Sequence, residues 1–199
     1  MVVLTIIGFV RHGVTAWNKE GRAQGSSDVP LDEEGIEMAK RVADRLSKEP
    51  WDVIYTSHLQ RAKKTAEIIA EQMPGIELVE DARLREIGGG KIEGTTEAER
   101  VEKWGKDWKL LDMGFETHKA IVSRGMESIE EIQQKHAGKR VLVVSHGSFI
   151  KHMLNELIKD NGYEQSLDNT SLTIIELKDD KNLCHLFNCT AHLQKTAES

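Results

Sequence analysis

The chain opens with a largely apolar run, Val2–Val10, that ends in the polar sequence Arg11-His12-Gly13. Apolar residues fill consecutive positions there instead of alternating with polar ones, so the pattern predicts a strand that is buried on both faces. A second run, Val141–Val144, ends in Ser145-His146-Gly147, and a third, Asp52–Tyr55, also precedes polar residues. The repeated pattern predicts a central sheet whose strands end in polar groups.

Between these strands, apolar residues recur at the spacing of amphipathic helices. One predicted helix is capped by Asp32 and runs to Lys48, and Pro50 stops it. The next helix is capped by Ser57 and runs to Met73. This alternation predicts an α/β fold, a three-layer α/β/α sandwich with a mostly parallel central sheet. Further predicted elements are a short edge strand at 76–79, helices through 126–132 and 149–157, and a terminal strand pair at 172–177 and 183–187.

Residues 94–124 interrupt the alternation. They are charged and helix-prone but also carry several large apolar side chains, so we predict a small helical cap insertion within a single domain of residues 1–199. Trp104 and Trp108 stand four positions apart, which predicts that they share a helix face. Packing within the cap and direct contact with a substrate are both open for this pair.

Composition narrows the class of protein. With 199 residues, of which 39% are apolar and 30% charged, the chain is long enough for one domain with a sizeable core. Its formal net charge of −6 argues against nucleic-acid binding, which favours a basic surface. An anionic ligand would then require a local cationic pocket.

The cysteines and the apolar N-terminal run bear on the cellular compartment. Cys184 and Cys189 fall in a strand-like region without CxxC or metal-ligand spacing, which predicts reduced thiols and no metal site. The N-terminal run is too short to span a membrane and lacks the basic flank of a signal peptide. We therefore expect a cytoplasmic protein that binds neither a membrane nor nucleic acid.

Side chains suited to a phosphoryl group follow three of the predicted strands. Arg11 and His12 follow the first strand, and His146 follows another. Arg61 lies in the first turn of the helix after a third, although a surface arginine paired with a glutamate is the alternative. Ligands of open α/β sheets bind beyond the carboxyl ends of the strands. One arginine guanidinium can donate two hydrogen bonds to two phosphate oxygens at once. A neutral imidazole can attack phosphorus or donate a proton.

Two further segments carry candidate ligand groups. The Gly/Ser-rich loop 19–27 carries Arg22 and Gln24, which either reach a ligand or lie in solvent. Glu86 precedes the glycine-rich run Gly88–Lys91. This position makes Glu86 a candidate general acid, and one more surface carboxylate is the alternative.

Together these motifs resemble the histidine phosphatase superfamily, also called phosphoglycerate-mutase-like. The family signature Arg-His-Gly-x-Thr-x-x-Asn stands at Arg11–Asn18, and the second histidine motif stands at Val144–Gly147. The resemblance covers nearly the whole chain in the family's order. Further matching segments are Ser57–Ala66, Leu84–Glu86, Gly125–Ser128 and the tail Asn188–Leu193, which is similar to the ending of the family's small bacterial phosphatases.

Departures from the family pattern bear on the pocket and on the reaction. Val14 lacks the polar side chain common in relatives, and Gly89 and Ile92 stand where many relatives have aromatic residues. The segment Ile92–Thr96 replaces the Glu-Arg-x-Tyr-Gly sequence of the cofactor-dependent mutases. This last departure favours a phosphatase over a mutase.

The resemblance implies a covalent mechanism on a small phosphorylated substrate, with no cofactor and no metal. His12 is the expected nucleophile, and Glu86 is the expected acid that protonates the leaving group. Arg11, Arg61 and His146 are expected to hold the phosphoryl oxygens. The expected substrate-binding residues are Asn18, Gln24, Thr15, Arg22, Ser145 and Gly147.

Two other functions fit the same motifs. A cofactor-dependent phosphoglycerate mutase uses the same chemistry but returns the phosphoryl group to bound product. A non-catalytic module binds a phospholigand without turnover, and it needs no acid such as Glu86 facing an anion. The sequence predicts neither the physiological phosphomonoester nor the oligomeric state.

Overall fold

The computed structural model describes residues 4–159, 162–178 and 180–194. Within these ranges the strands form one six-stranded sheet. The strands are β1 (Thr5–Arg11), β2 (Val53–Thr56), β3 (Glu77–Glu80), β4 (Arg140–Ser145), β5 (Leu172–Leu177) and β6 (Leu183–Cys189). Their order across the sheet is β3-β2-β4-β1-β5-β6, which places the short strand β3 at an edge as predicted.

The sheet is mostly parallel, as the sequence predicts. β1 pairs with β4, β4 with β2, and β2 with β3, all in parallel. β5 pairs antiparallel with β1, and the predicted terminal strand pair is the antiparallel pair of β5 and β6. β1 begins at Thr5, and the predicted start of this strand at Val2 lies outside the described residues.

Helices cover both faces of this sheet. They are α1 (Ala16–Glu20), α2 (Glu33–Leu46), α3 (Gln60–Glu71), α4 (Glu97–Trp104), α5 (His118–Lys135) and α6 (Gly147–Leu157). Ile7 and Phe9 of β1 pack with α5 and α6, whereas Val10 packs with α2 and α3 on the opposite face. The alternation confirms the predicted three-layer α/β/α sandwich. Among the described residues, no helix has the length and apolar composition that crossing a membrane requires.

The starts of α2 and α3 differ in how well the sequence predicts them. Asp32 caps α2 as predicted, because its carboxylate accepts a hydrogen bond from the first turn at 2.8 Å. The predicted cap of α3 at Ser57 is wrong. The N-cap is Leu59, and the first N–H of the helix donates to the Asp28 carboxylate at 2.7 Å. The Ser57 hydroxyl instead contacts His146, at the edge of the sheet where the strands end.

The predicted cap is only partly helical. α4 ends at Trp104, because Gly105 adopts a φ of 84°, and Trp108 begins a separate 3-10 turn. The prediction that these two tryptophans share a helix face is therefore wrong. Trp108 is buried in a small apolar cluster with Ile92 and Met113, against which Trp104 packs.

The start of α5 limits the cap insertion. This helix begins at His118, so residues 118–124 of the predicted insertion belong to a helix of the sandwich. α5 buries Ile121 and Ile129 against the sheet, and Arg124 is buried between them. The extent of the domain and of the insertion otherwise stays a prediction.

Candidate active site

Parallel pairing of β1 with β4 brings the two histidine motifs to one edge of the sheet. Arg11 is opposite Ser145 in the register, and the His12 N–H donates to the Ser145 carbonyl at 3.0 Å. The rings of His12 and His146 have centroids 5.2 Å apart. The first turn of α3 adds the guanidinium of Arg61, whose charge acts on both histidines. The structure thus brings four of the five predicted catalytic side chains together here, and the charge of the fifth, Glu86, acts on both arginines.

His12 is almost completely buried, with 2% of its surface exposed. Its Nδ1 lies 2.7 Å from the Gly13 carbonyl oxygen. A carbonyl oxygen only accepts hydrogen bonds, so Nδ1 carries the proton and Nε2 has the lone pair. Burial lowers the pKa of His12 well below its ordinary value, and the charges of Arg61 and Arg11 lower it further. His12 is therefore a neutral imidazole whose basic nitrogen is set by a backbone contact.

His146 is also buried, but its ring is held by a side chain instead of the backbone. Its Nε2 lies 2.9 Å from the Ser57 hydroxyl oxygen, and this oxygen accepts a hydrogen bond from the Leu59 N–H at 3.2 Å. Burial lowers the pKa of His146 well below its ordinary value, and Arg61 and His12 lower it further. Nδ1 of His146 is buried and has no hydrogen-bond partner in the described part of the chain.

Backbone carbonyls fix the two guanidinium groups. The fully buried Arg61 donates from Nη1 to the Ser27 carbonyl at 2.7 Å and from Nη2 to the Gly25 carbonyl at 2.8 Å. Arg11 donates from Nη1 to the Leu167 carbonyl. Burial lowers the pKa of Arg61 to about 10 and lowers that of Arg11, but both groups stay charged at pH 7. Nε of each is buried without a partner among the described residues, so each keeps a donor for an anion.

Glu86 lies at the amino terminus of α6, the helix that directly follows His146. Its carboxylate accepts hydrogen bonds from the backbone N–H groups of Phe149 at 2.9 Å and Ser148 at 3.2 Å. A third comes from the Ile87 N–H at 2.9 Å. These contacts fix the orientation of both carboxylate oxygens at the end of the helix.

Arg124 and Glu116 hold the segment that carries Glu86. Arg124 donates to the Arg85 carbonyl at 2.9 Å and to the Glu86 carbonyl at 3.3 Å. It also binds both carboxylate oxygens of Glu116 at 2.7 and 3.0 Å, and Glu116 accepts from the Gly88 N–H at 3.1 Å. The sequence patterns assigned neither residue. The sequence does contain one signal for Arg124: it is a charged residue on the apolar face of a predicted helix.

Three of the predicted substrate-binding residues hold one another at the start of α1. Thr15 caps this helix, and its hydroxyl accepts from the Asn18 N–H at 3.1 Å and donates to Gln24 Oε1 at 3.0 Å. Asn18 Oδ1 in turn accepts from the Thr15 N–H at 3.1 Å. Gln24 directly precedes Gly25, which holds Arg61, so these residues border the pocket. Their contact with substrate stays a prediction.

Arg22, also predicted to bind substrate, is engaged elsewhere. It donates to the carboxylates of Glu20 at 2.6 Å and Glu99 at 2.7 Å. It also donates to the Gly94 carbonyl at 2.7 Å. These contacts tie the loop 19–27 to α4, so we assign Arg22 to fastening the loop instead of to substrate.

Ser145 and Gly147 are the last two predicted substrate-binding residues. Both contact residues that position the catalytic side chains. Ser145 is buried, and its hydroxyl donates to the Leu84 carbonyl at 2.6 Å. This bond ties the end of β4 to the segment of Glu86. Gly147 begins α6, where a Cβ atom would lie 3.2 Å from Nε of Arg11. Glycine at this position lets the helix approach the guanidinium closely.

Asn169 and Thr170 hold the backbone of Arg11 and His12 by hydrogen bonds to its carbonyl groups. Asn169 Nδ2 donates to the His12 carbonyl at 3.0 Å, and the Thr170 N–H donates to the Arg11 carbonyl at 3.0 Å. Thr170 is buried and adopts a φ of 56°, a strained conformation for a β-branched residue. Its hydroxyl oxygen lies 3.1 Å from His192 Nε2, which gives the matched tail motif a contact near the site. The sequence patterns assigned no role to Asn169 or Thr170.

Comparison with known proteins agrees with this geometry. Residues 7–190 match the histidine phosphatase superfamily (branch 1). The chain is 32% identical to a metal-independent phosphoserine phosphatase of Arabidopsis thaliana, in an alignment that covers 96% of this chain and 84% of that protein. It is 33% identical to the uncharacterized phosphatase PhoE of Bacillus subtilis, with 96% and 97% covered.

A solved structure shows the same fold, and the relatives include both phosphatases and mutases. Bacillus stearothermophilus YhfR superposes with a TM-score of 0.85 at 31% identity, covering 96% of this chain and all of that one. Other relatives are named phosphoglycerate mutases. On these grounds and on its site, the chain belongs to the histidine phosphatase superfamily.

Proposed function

We propose that the chain is a phosphatase that hydrolyses small phosphomonoesters through a covalent phosphohistidine at His12, without a metal ion. The observation that carries the proposal is the neutral imidazole of His12, oriented by a backbone carbonyl and lying next to the charges of Arg11 and Arg61. The relatives named phosphatases support hydrolysis as the reaction. The two arginines supply the positive charge that metal ions supply in other phosphoryl-transfer sites, and the second histidine adds a ring nitrogen that can bind a phosphoryl oxygen.

In the first step, the lone pair on His12 Nε2 attacks phosphorus and forms an N–P bond. The bond from phosphorus to the ester oxygen breaks, and that oxygen takes a proton from Glu86, which enters this step as the carboxylic acid. The imidazole becomes cationic as the bond forms. The Gly13 carbonyl, which accepts from Nδ1 at 2.7 Å, stabilises this developing charge.

In the second step, water attacks the phosphohistidine. The carboxylate of Glu86 takes a proton from the water as the new O–P bond forms and the N–P bond breaks. The products are inorganic phosphate and neutral His12, and Glu86 is again protonated. The three backbone N–H groups that hold this carboxylate keep it in place for both proton transfers.

Arg11, Arg61 and His146 act on the equatorial phosphoryl oxygens. Each has a buried donor or ring nitrogen with no hydrogen-bond partner among the described residues: Nε of the two arginines and Nδ1 of the histidine. Charges fixed in a buried pocket stabilise a transition state without reorganisation. In this proposal they neutralise the phosphoryl group while it passes between the oxygen and Nε2.

The first experiment measures phosphate release from a panel of phosphomonoesters in EDTA, including 3-phosphoglycerate and an aryl phosphate. We expect release from the wild type, none from His12→Ala, and a phosphohistidine trapped by rapid alkaline quenching. Isomerisation of 3-phosphoglycerate without phosphate release would identify a mutase instead. Tight vanadate binding with no turnover of any ester would identify a binding module, and activity lost in EDTA but restored by added metal would contradict metal independence.

A further inference from the structure

We propose that Lys151 binds a carboxylate on the leaving group, so that the site favours phosphomonoesters whose alcohol carries a second negative group. This inference rests on the proposed phosphatase function, because the acid in that mechanism marks the side from which the alcohol departs. None of the sequence motifs includes this lysine.

The leaving group must lie on the side of Glu86. A general acid has to be within hydrogen-bond reach of the oxygen that it protonates, so the atoms attached to that oxygen extend past its carboxyl group. Glu86 lines a cavity of about 120 Å³ together with Arg11, Gly147, Lys151 and Ser166. The alcohol of a phosphomonoester whose ester oxygen lies next to Glu86 would therefore meet Lys151, which lines the same cavity.

Helix geometry directs Lys151 into the same space. It lies four residues after Gly147 on α6, so the two residues share a face of the helix. Helical side chains lean toward the amino terminus, and His152 shows this lean by donating from Nδ1 to the Ser148 carbonyl at 2.8 Å. Gly147 is the residue that packs against the Arg11 guanidinium. Lys151 therefore leans toward the turn of Gly147, on the side of the cavity that Arg11 lines.

The charge of Lys151 is free for a ligand. Across residues 4–159, 162–178 and 180–194, no ion pair involves this lysine. Two arginines near the site, in contrast, already form ion pairs with carboxylates. Arg22 pairs with Glu99 at 2.7 Å, and Arg124 pairs with Glu116 at 2.7 Å. Charge-assisted hydrogen bonds are stronger in a partly enclosed site than at the surface. A substrate carboxylate is the group that matches this ammonium.

The test compares two phosphate esters that differ by one carboxylate, O-phosphoserine and O-phosphoethanolamine. We expect the wild type to have the higher kcat/KM for O-phosphoserine. Lys151→Met should lower this value about 10- to 100-fold, the scale for a lost hydrogen bond between charged groups, and change that for O-phosphoethanolamine by less than about threefold. Lys151→Glu should reverse the preference. Lys139→Met is the matched control, because Lys139 is exposed next to the amino end of β4, at the opposite end of the sheet.

Three results would overturn the inference. They are a wild type with no preference for O-phosphoserine, an equal loss on both esters in Lys151→Met, and an unchanged ratio in Lys151→Glu. Activity toward an aryl phosphate measures the phosphate pocket alone and reports a misfolded variant. A wild type that releases phosphate from none of the three esters would instead overturn the proposed function.

Discussion

The phosphate side of the site and its leaving-group side are held in different ways. On the phosphate side, backbone carbonyls fix three of the four reactive groups, as the Gly13 carbonyl does for His12, and only His146 is held by a side chain. On the leaving-group side, an ion pair between Arg124 and Glu116 holds the segment that carries Glu86. The first arrangement depends on the path of the chain, and the second depends on the identity of particular side chains.

This difference suggests where the chemistry and the selectivity of the site reside. The phosphoryl group is common to all phosphomonoesters, so a pocket set by strand ends and backbone carbonyls serves any of them. The alcohol differs between esters, and it meets side chains such as Glu86 and Lys151 around the small cavity. Substitutions on the phosphate side should therefore lower activity on every ester, whereas those on the leaving-group side should change the ratio between esters.

The largest expected effect is that of His12→Ala. Without Nε2 the covalent step is lost, and kcat should fall on the order of 10⁶-fold, the scale for loss of a nucleophile in another covalent hydrolase. The loss should be the same for alkyl and aryl esters. His185→Ala, at the far edge strand, is the matched control and should keep full activity. Substantial hydrolysis by the His12 variant would contradict the covalent route.

Glu86→Gln should have a smaller effect that depends on the ester. An alkyl alcohol needs a proton to leave, so kcat/KM for an alkyl phosphate should fall about 10²- to 10⁴-fold. A nitrophenolate leaves without a proton, so 4-nitrophenyl phosphate should lose much less in the bond-breaking step. Burst kinetics with both esters would separate this step from hydrolysis of the phosphohistidine. Equal losses on both esters in the burst would argue against Glu86 as the acid.

Arg124→Lys and Glu116→Gln test the positioning of Glu86. Loss of the paired contacts lets the segment shift, and a misplacement of about 1 Å costs roughly 10²-fold in rate. We expect kcat on alkyl phosphates to fall about 10- to 100-fold, with inhibition by vanadate unchanged, because vanadate binds on the phosphate side. Either variant combined with Glu86→Gln should show little further loss. Arg140→Lys, which disrupts a pair with Glu49 away from the site, is the control.

The sequence predicts the phosphate side of the site better than the contacts that support it. Arg11, His12 and His146 follow apolar strands, and the strand pattern alone brings them together at one sheet edge. The roles of Arg124 and Thr170 depend on contacts with residues far along the chain, such as Arg124 with the Glu86 carbonyl. Periodicity carries no information about such contacts. The tryptophan prediction failed because one glycine with positive φ ended the helix between the two residues.

A pH-dependent effect on stability is expected from His192, which supports Thr170 behind the nucleophile. Burial, then Arg45 and Arg41, lower the pKa of His192 to about 4, whereas the unfolded chain has an ordinary value of about 6.5. The unfolded state therefore binds a proton more tightly between these values, and the free energy of unfolding falls as pH drops from 6.5 to 4. Allowing for solvent exposure, this contribution is about 1–2 kcal/mol.

Denaturant unfolding of the wild type and His192→Gln at pH 7 and pH 4.5 measures this contribution. The wild type should lose more stability between the two conditions than the variant does. His12 and His146 have their pKa values lowered in the same direction, but they titrate in both proteins and cancel in the difference. An equal loss in the two proteins would contradict a half-buried, neutral His192.

Arg22→Gln should have the smallest effect on activity. This variant tests whether Arg22 contacts the substrate or only lies near the site. Arg22 binds Glu20 and Glu99 and so fastens the loop 19–27 to α4. If it bound the phosphoryl group, its loss would lower kcat/KM about as much as loss of Arg61. We expect a change of less than about threefold on every ester, because exposed ion pairs contribute only about 0–1 kcal/mol. A large loss shared by alkyl and aryl phosphates would place Arg22 on the phosphate side, whereas a loss confined to one ester would place it with the alcohol.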